Sequence, residues 1–167
     1  MTTQIACLNL LAEALGDKLL GLHVAQDMDL RDAGFLYYVA ASSETLGGGL
    51  QGLARCSSML NEGVKLETDC GDALRIGFEY TGVSCQSDRH QIEAWTTAIV
   101  RCCRELTGRD LQPTVVQIIH RRIPESAKLD SYFGHTVEFG ADSDQMSFAG
   151  DAARLPIVNA DRALAFV

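Results

Sequence analysis

No apolar run in this 167-residue chain approaches the roughly 18–20 residues that a membrane span needs, and no basic-then-apolar leader opens it. Neither a membrane-spanning nor an exported protein is expected, which leaves the cytoplasm as the expected location. Positive charge is scarce as well: 14 Lys and Arg stand against 22 Asp and Glu, a formal net charge of -8. A surface of that sign repels phosphate backbones and excludes a direct grip on nucleic acid by this segment. The acidic residues are spread along the chain, as on an ordinary solvated surface. A C-x-x-C pair is missing too, although there are six cysteines, Cys7, Cys56, Cys70, Cys85, Cys102 and Cys103. Their spacing sets out no disulfide framework. The adjacent Cys102 and Cys103 invite a redox or arsenical sensor, but Cys102 falls on the apolar stripe of a predicted helix, where a free thiol packs as a small hydrophobe.

Catalytic and metal constellations are absent in the same way. His23, His90, His120 and His135 fall in separate predicted elements, with no i, i+4 pair and no H-x-x-C spacing. There is no G-x-S-x-G, no G-x-G-x-x-G after a strand and no phosphate loop, since Gly47, Gly48 and Gly49 are followed by Leu50 rather than the needed lysine. Carboxylates are numerous, but no spacing pairs two of them for acid–base work. Neither an enzyme nor a cofactor or metal site is expected.

What is present is the material of one globular domain: 47% hydrophobic and 22% charged residues, with no internal repeat and no linker. Ile5, Leu8, Leu11 and Leu15 recur at helical spacing and stop at Gly16; 17–27 and 34–41 read as further short helices. Ser42 and Ser43 can cap a helix over 44–60, with Leu46, Leu50, Leu53 and Leu60 on one face and Ser57 between them. Gly47, Gly48, Gly49 and Gly52 each weaken that helix by about 0.8–1 kcal/mol relative to alanine. Such glycines serve either close packing or a backbone that approaches a ligand.

Val64, Leu66 and Thr68, then Leu74, Ile76, Phe78 and Tyr80, alternate with polar residues around Asp69-Cys70-Gly71-Asp72, a hairpin with one core face. A long helix follows, opened by a capping box of Asp88 and Gln91, striped by Ile92, Trp95, Ile99, Cys102 and Leu106, and stopped by Gly108. A strand over 114–120, a short helix from Pro124 to about Phe133, strands near 136–139 and 145–148, and a closing turn or helix from Pro156 complete the chain. Hairpins among helices, without βα repeats, predict an α+β fold with a mainly antiparallel sheet.

The polar residues on this scaffold offer one candidate ligand site. Lys65, Glu67, Arg75 and Glu79 share the outward face of the hairpin, Arg89 and His90 open the long helix at its positive dipole end, and Trp95 is the only tryptophan. Lys65, Arg75, Arg89, His90 and Trp95 together would suit an anionic ligand with a ring, such as a nucleotide or cyclic dinucleotide. The plainer alternative is cross-strand ion pairs plus a core tryptophan. An apolar or amino-acid-like ligand would instead sit under Phe35, Tyr38 and Trp95.

Two patterns carry a family resemblance: L-T-G-R-D-L-x-P from Leu106 to Pro113 before a β run, and Y-F-G-x-x-V-x-F-G-A from Tyr132 to Ala141. With Gly34-Phe35-Leu36-Tyr37-Tyr38 and Ser43-Glu44-Thr45-Leu46-Gly47, they resemble the N-terminal, so-called arabinose-binding domain of one branch of AraC-type transcriptional regulators, from about Leu11 to Asp161. That domain is distinct from the cupin-like sensor of the arabinose regulator itself.

The resemblance implies a sensor that binds a small effector, forms a homodimer and controls a C-terminal pair of helix-turn-helix motifs, through which alone DNA would be touched. Nothing in the chain resembles that DNA-binding part, so 1–167 is expected to be the effector-binding and dimerisation domain alone. No effector residue carries over by motif; Gly108, Pro113, Gly134 and Gly140 match as structural positions. A ligand-independent oligomerisation module is the competing expectation.

Overall fold

A computed structural model describes residues 2–60, 64–80 and 88–158. Four helices open the chain: α1 (Thr2–Leu15), α2 (Leu20–Asp27), α3 (Phe35–Ala41) and α4 (Leu46–Leu60), with a 3₁₀ turn at Leu30–Ala33. Strands β1 (Val64–Cys70) and β2 (Ala73–Tyr80) follow, then α5 (Arg89–Thr107), β3 (Val115–Ile118), α6 (Ala127–Phe133), β4 (Glu138–Phe139) and β5 (Asp144–Ala149). The strands hydrogen-bond in the order β1-β2-β5-β3-β4, antiparallel except for β3 beside β4. This is the α+β fold with a mainly antiparallel sheet that the pattern predicts.

The hairpin alternation sets the layers. Val64, Leu66, Leu74, Ile76 and Phe78 are buried, and the residues between them face solvent or are half-buried. Met146 and Phe148 of β5 and Val116 and Ile118 of β3 extend the apolar face, and Ile92, Ile99, Cys103 and Leu106 of α5 join the same core. Each such side chain stabilises the fold by about 1.5–3 kcal/mol through burial. Leu155–Val158 then closes the end of the domain: Leu46 donates to the Leu155 carbonyl at 2.9 Å and Val158 to the Leu106 carbonyl at 2.7 Å. The predicted closing segment continues into 159–167, outside the described residues.

Helix α4 packs along edge strand β1, and one of its hydroxyls takes up an N–H of that edge. Ser57 Oγ donates to the Ala54 carbonyl at 2.8 Å and accepts the Leu66 N–H at 3.2 Å, a donor that β2 does not take. The serine that interrupts the leucine face of α4 therefore blunts a sheet edge. Ser57→Ala leaves that N–H buried and unpaired, and is expected to lower stability by about 1–3 kcal/mol in urea titration. A loss under about 0.3 kcal/mol would mean that the edge is not protected this way.

The α4 glycines resolve toward packing. A Cβ at Gly49 would stand 2.7 Å from the Ala40 carbonyl oxygen, one at Gly47 3.0 Å from the Ala153 carbonyl, and one at Gly52 3.0 Å from Val39. Their absence lets α3 and the 3₁₀ turn Gly150–Arg154 close on α4.

The predicted capping box at the start of α5 does not form. Asp88 makes no side-chain cap hydrogen bond and is wholly buried, and burial pushes its carboxyl up to about 6, against the nearby Tyr80 hydroxyl. Tertiary burial has taken the residue that local sequence assigned to the helix end. Gly108 does stop α5, with φ 63° in the left-handed region. Among the described residues no helix is long and apolar enough to cross a membrane.

Candidate functional site

Helices α1 to α5 and the 3₁₀ turn at Leu30–Ala33 line an open pocket of about 340 Å³ whose walls are mostly apolar. Leu8, Val24, Met28, Leu36 and Tyr37 face the half-buried indole of Trp95 across it. Tyr37 is fixed from behind: its hydroxyl donates to Glu105 Oε1 at 2.7 Å, and burial with that carboxylate pushes the phenol up to about 12. Arg101 of α5 ties α2 to the same assembly by donating to the carbonyls of Ala25 and, at 2.8 Å, Met28. Besides Tyr37, three polar side chains line it: Gln4 and Asp32, which are exposed, and Gln91, which is buried. Gln91 is 3% exposed, lines the cavity, and its Oε1 has no hydrogen-bond partner.

A second, wider depression of about 500 Å³ opens at the N-terminus of α5, bounded by Asn9, Glu13, Asp17, Lys18, Arg89 and His90. Its charges are mixed: Asp17 contacts His23 at 2.8 Å, and Lys18 donates to Glu125 at 2.7 Å.

Beneath it lies a buried acid–imidazole row. Arg89 Nη2 is 3.0 Å from His90 Nε2. A guanidinium only donates, so His90 accepts at Nε2 and carries its proton on Nδ1, which faces Glu93 Oε2 at 3.9 Å. His120 Nδ1 lies 3.1 Å from the Arg121 carbonyl and must donate there, leaving Nε2 as an acceptor 3.4 Å from Glu93 Oε1.

A protonated Glu93 suits the space between the two rings, with Oε1 nearer an acceptor and Oε2 nearer a donor, although neither pair is within hydrogen-bonding geometry. Burial pushes Glu93 up to about 8 despite Arg89, holds His90 down to about 4 with help from Arg89, and lowers His120. The row is therefore neutral at its centre. Asp144, at the start of the central strand β5, accepts the Ile119 N–H at 2.8 Å, and burial raises it to about 6. No cluster of three His, Cys, Asp or Glu residues fit to hold a metal ion occurs among the described residues.

The five residues expected to form one ligand site are distributed over three places. Lys65 and Arg75 lie on the solvent face of the hairpin, opposite the core that α5 joins. Lys65 Nζ is 2.7 Å from Glu67 and 3.7 Å from Glu79, and Arg75 is 3.8 Å from Asp69. These are the cross-strand and neighbour ion pairs of the plainer alternative. Arg89 and His90 do come together at the polar depression, and Trp95 lines the apolar cavity instead.

The expected pocket under Phe35, Tyr38 and Trp95 is also shifted. Leu36 and Tyr37 form its wall, while Phe35 and Tyr38 are 50% and 48% exposed on the outer surface. The phase of α3 turns those two rings outward. Cys102 and Cys103 are buried thiols; burial pushes Cys102 up to about 12 and Cys103 well above its usual value, which suits core packing rather than redox chemistry.

Sequence reasoning missed Gln91 as a cavity residue, and it missed Glu93 and His120. Glu93 had a signal: Thr96, Thr97, Val100 and Cys103 follow it at helical spacing and form a face of small, uncharged side chains, so the carboxylate shares a buried side of α5.

Comparison with known proteins agrees with this architecture. The model of the arabinose-binding domain found at the N-terminus of AraC transcription regulators matches residues 2–157. The crystal structure of the transcriptional regulator CdpR from Pseudomonas aeruginosa superposes over 92% of this chain with a TM-score of 0.71 at 18% identity. The chain spans about half of that regulator, 53% of its length. No curated protein matches. The chain belongs to the family of arabinose-binding-type N-terminal domains of AraC transcription regulators.

Proposed function

We propose that this domain senses a small, largely apolar effector in the cavity against Trp95 and passes occupancy to the DNA-binding part of an AraC-type regulator. The observation that carries the reading is the pocket itself: about 340 Å³, open to solvent and mostly apolar, within the usual size range of small-molecule sites. Its lining comes from α1 to α5, so a bound molecule holds α1, α2 and α3 against α5 and favours that arrangement over looser ones. The role is regulatory rather than catalytic, needs no cofactor beyond the effector, and belongs in the cytoplasm where DNA is the target.

The same helical layer exposes Leu10, Leu11 and Leu15 of α1 and Phe35 and Tyr38 of α3. These exposed apolar side chains are consistent with a homodimer, with DNA contacted through a separate helix-turn-helix domain.

A second reading keeps the anionic, nucleotide-like effector and moves it to the polar depression, where Arg89 and Lys18 face the positive end of α5. Glu13 and Asp17 in the same wall, and the pairing of Lys65 and Arg75 elsewhere, favour the apolar cavity.

A thermal-shift screen with Trp95 fluorescence as a second readout separates the two. A cavity ligand at 100 times its dissociation constant adds about 2.7 kcal/mol, which is roughly 5–10 °C for a domain of this size. Trp95→Ala is expected to weaken that ligand by about thirtyfold, roughly 2 kcal/mol, while Arg89→Ala and Arg75→Ala leave it within twofold. If a hit depends on Arg89 and ignores Trp95, the polar depression is the sensor site. If nothing in a broad panel shifts the domain, the ligand-independent oligomerisation module takes over.

A further inference from the structure

We infer that the effector is an amphiphilic cation, with an apolar body lying against Trp95 and an ammonium-type end held at the pocket mouth by Asp32. The inference rests on the reading of the Trp95 pocket as the effector site. Apolar walls supply affinity but discriminate weakly between molecules of similar size. The choice falls to the polar groups that a bound molecule can touch. Gln91 is buried behind the wall, whereas Gln4 and Asp32 are exposed at the opening. Asp32 is the single carboxylate of the lining, and no lysine, arginine or histidine joins it there.

That carboxylate is free to take a cation. The Asp32 main-chain N–H donates to the Asp29 carbonyl at 2.9 Å within the 3₁₀ turn, which fixes where the side chain stands. Among the described residues the side chain itself has no hydrogen bond or ion pair. Arg31, next to it in the chain, is committed to Asp29, with Nε at 2.9 Å and Nη2 at 2.8 Å. Arg101 does not line the pocket, and its Nη1 is taken by the carbonyls of Ala25 and Met28. Glu105, holding the Tyr37 hydroxyl, adds a second negative charge behind the wall. An anionic end is repelled at the mouth, and deeper in it loses its hydration without a counter-charge. A cationic end stays hydrated at the mouth while the apolar body is buried, as a lysine does on an apolar surface. An ion pair this exposed strengthens binding by about two- to fivefold, and salt screens it.

The test changes the head group on a constant tail: octylammonium, 1-octanol and octanoate, and independently 4-phenylbutylammonium, 4-phenylbutanol and 4-phenylbutanoate. Affinities for the 167-residue chain are measured by calorimetry near neutral pH and at low salt, with Trp95 fluorescence as a second signal. In whichever scaffold binds, the ammonium is expected to bind about threefold tighter than the alcohol, and the alcohol about threefold tighter than the carboxylate. Asp32→Asn brings ammonium and alcohol to within about 1.5-fold and leaves alcohol binding unchanged, and Asp32→Lys puts the carboxylate ahead of the ammonium. Asp142→Asn removes the same charge from an exposed position outside the lining and keeps the parent order. An ammonium that binds the parent no better than the alcohol overturns the Asp32 assignment and leaves the pocket reading standing. So does a preference that survives Asp32→Asn, or one that Asp142→Asn lowers as much, which traces it to the net charge of the chain. If no member of either scaffold binds, or if binding ignores Trp95→Ala, the pocket reading fails and the Asp32 assignment with it.

Discussion

Glu93→Gln is expected to melt roughly 6–12 °C above the parent protein at pH 8 and to lose most of that advantage by pH 4.5. The carboxyl of Glu93 is fully buried, and burial lifts it to about 8 from an ordinary value of 4.5, with Arg89 opposing and Asp17 adding to the rise. Between those two values the unfolded chain has released the proton that the folded domain still holds. Folding therefore takes up a proton, and stability falls as pH rises through this window.

Below 4.5 both states are protonated and the stabilisation is fully present; above 8 it has gone. Glutamine is the neutral carboxylic acid's near-isostere. It occupies the same place beside His120 Nε2 and His90 Nδ1 without an ionisable proton, so it keeps the row and removes the Glu93 ionisation. A gain on the order of 3 kcal/mol at pH 8 follows, discounted from the full shift for relaxation around the charge.

The histidines pull the other way in a separate window. His90 and His120 are held below 6.5, so their contribution is present above that value and is lost as pH falls through it. Urea titrations of both proteins at pH 4.5 and pH 8 decide the matter. Equal stabilities at pH 8, or the same gain at both pH values, would show that the carboxyl is charged in the folded state or is held neutral by nothing.

Much of the fold was legible because its signals are local and repeated. The alternation from Val64 to Tyr80 fixes both the hairpin and its core face, and Gly108 with the stripe Ile92–Ile99–Leu106 fixes the long helix. The family was legible from the L-T-G-R-D-L-x-P and Y-F-G-x-x-V-x-F-G-A patterns.

The site was not legible, for three physical reasons. A lysine on the outward face of a hairpin reads the same whether it waits for a ligand or pairs with Glu67, and only distance separates the cases. Helix α3 is one residue deep in its ambiguity: Phe35, Leu36, Tyr37 and Tyr38 are all apolar enough to face a cavity, and tertiary packing chose the middle two. The acid–imidazole row joins Glu93 of α5 to His120 beyond β3, and no local pattern links those positions. Asp88 shows the same competition at a helix end, where burial overrode a good capping sequence.

Gly21→Ala is expected to destabilise the domain by about 3 kcal/mol and to weaken any ligand of the Trp95 cavity by at least tenfold. Gly21 lies where α2 crosses α5, and a Cβ there would run into the backbone carbonyl of His90. The obstacle is main chain rather than the tip of a flexible side chain, so one helix has to move. Overpacking of this kind costs typically 1–3 kcal/mol and sometimes more. The displacement is transmitted directly, because Val24, one turn along α2, and Met28, just past its end, form one wall of the cavity and Trp95 the other.

Arg101 resists the separation through the Ala25 and Met28 carbonyls, so the variant remains folded with its cavity sprung open. Gly48→Ala is the control. Its Cβ would stand 3.4 Å from Thr45 Oγ1, an ordinary contact, inside a helix where alanine is favoured over glycine by about 0.8–1 kcal/mol. The two glycine-to-alanine changes should therefore move the melting temperature in opposite directions. If Gly21→Ala is as stable as the parent, α2 and α5 do not cross as closely as Gly21 permits. If it is destabilised but binds cavity ligands unchanged, the α2 wall takes no part in holding the effector.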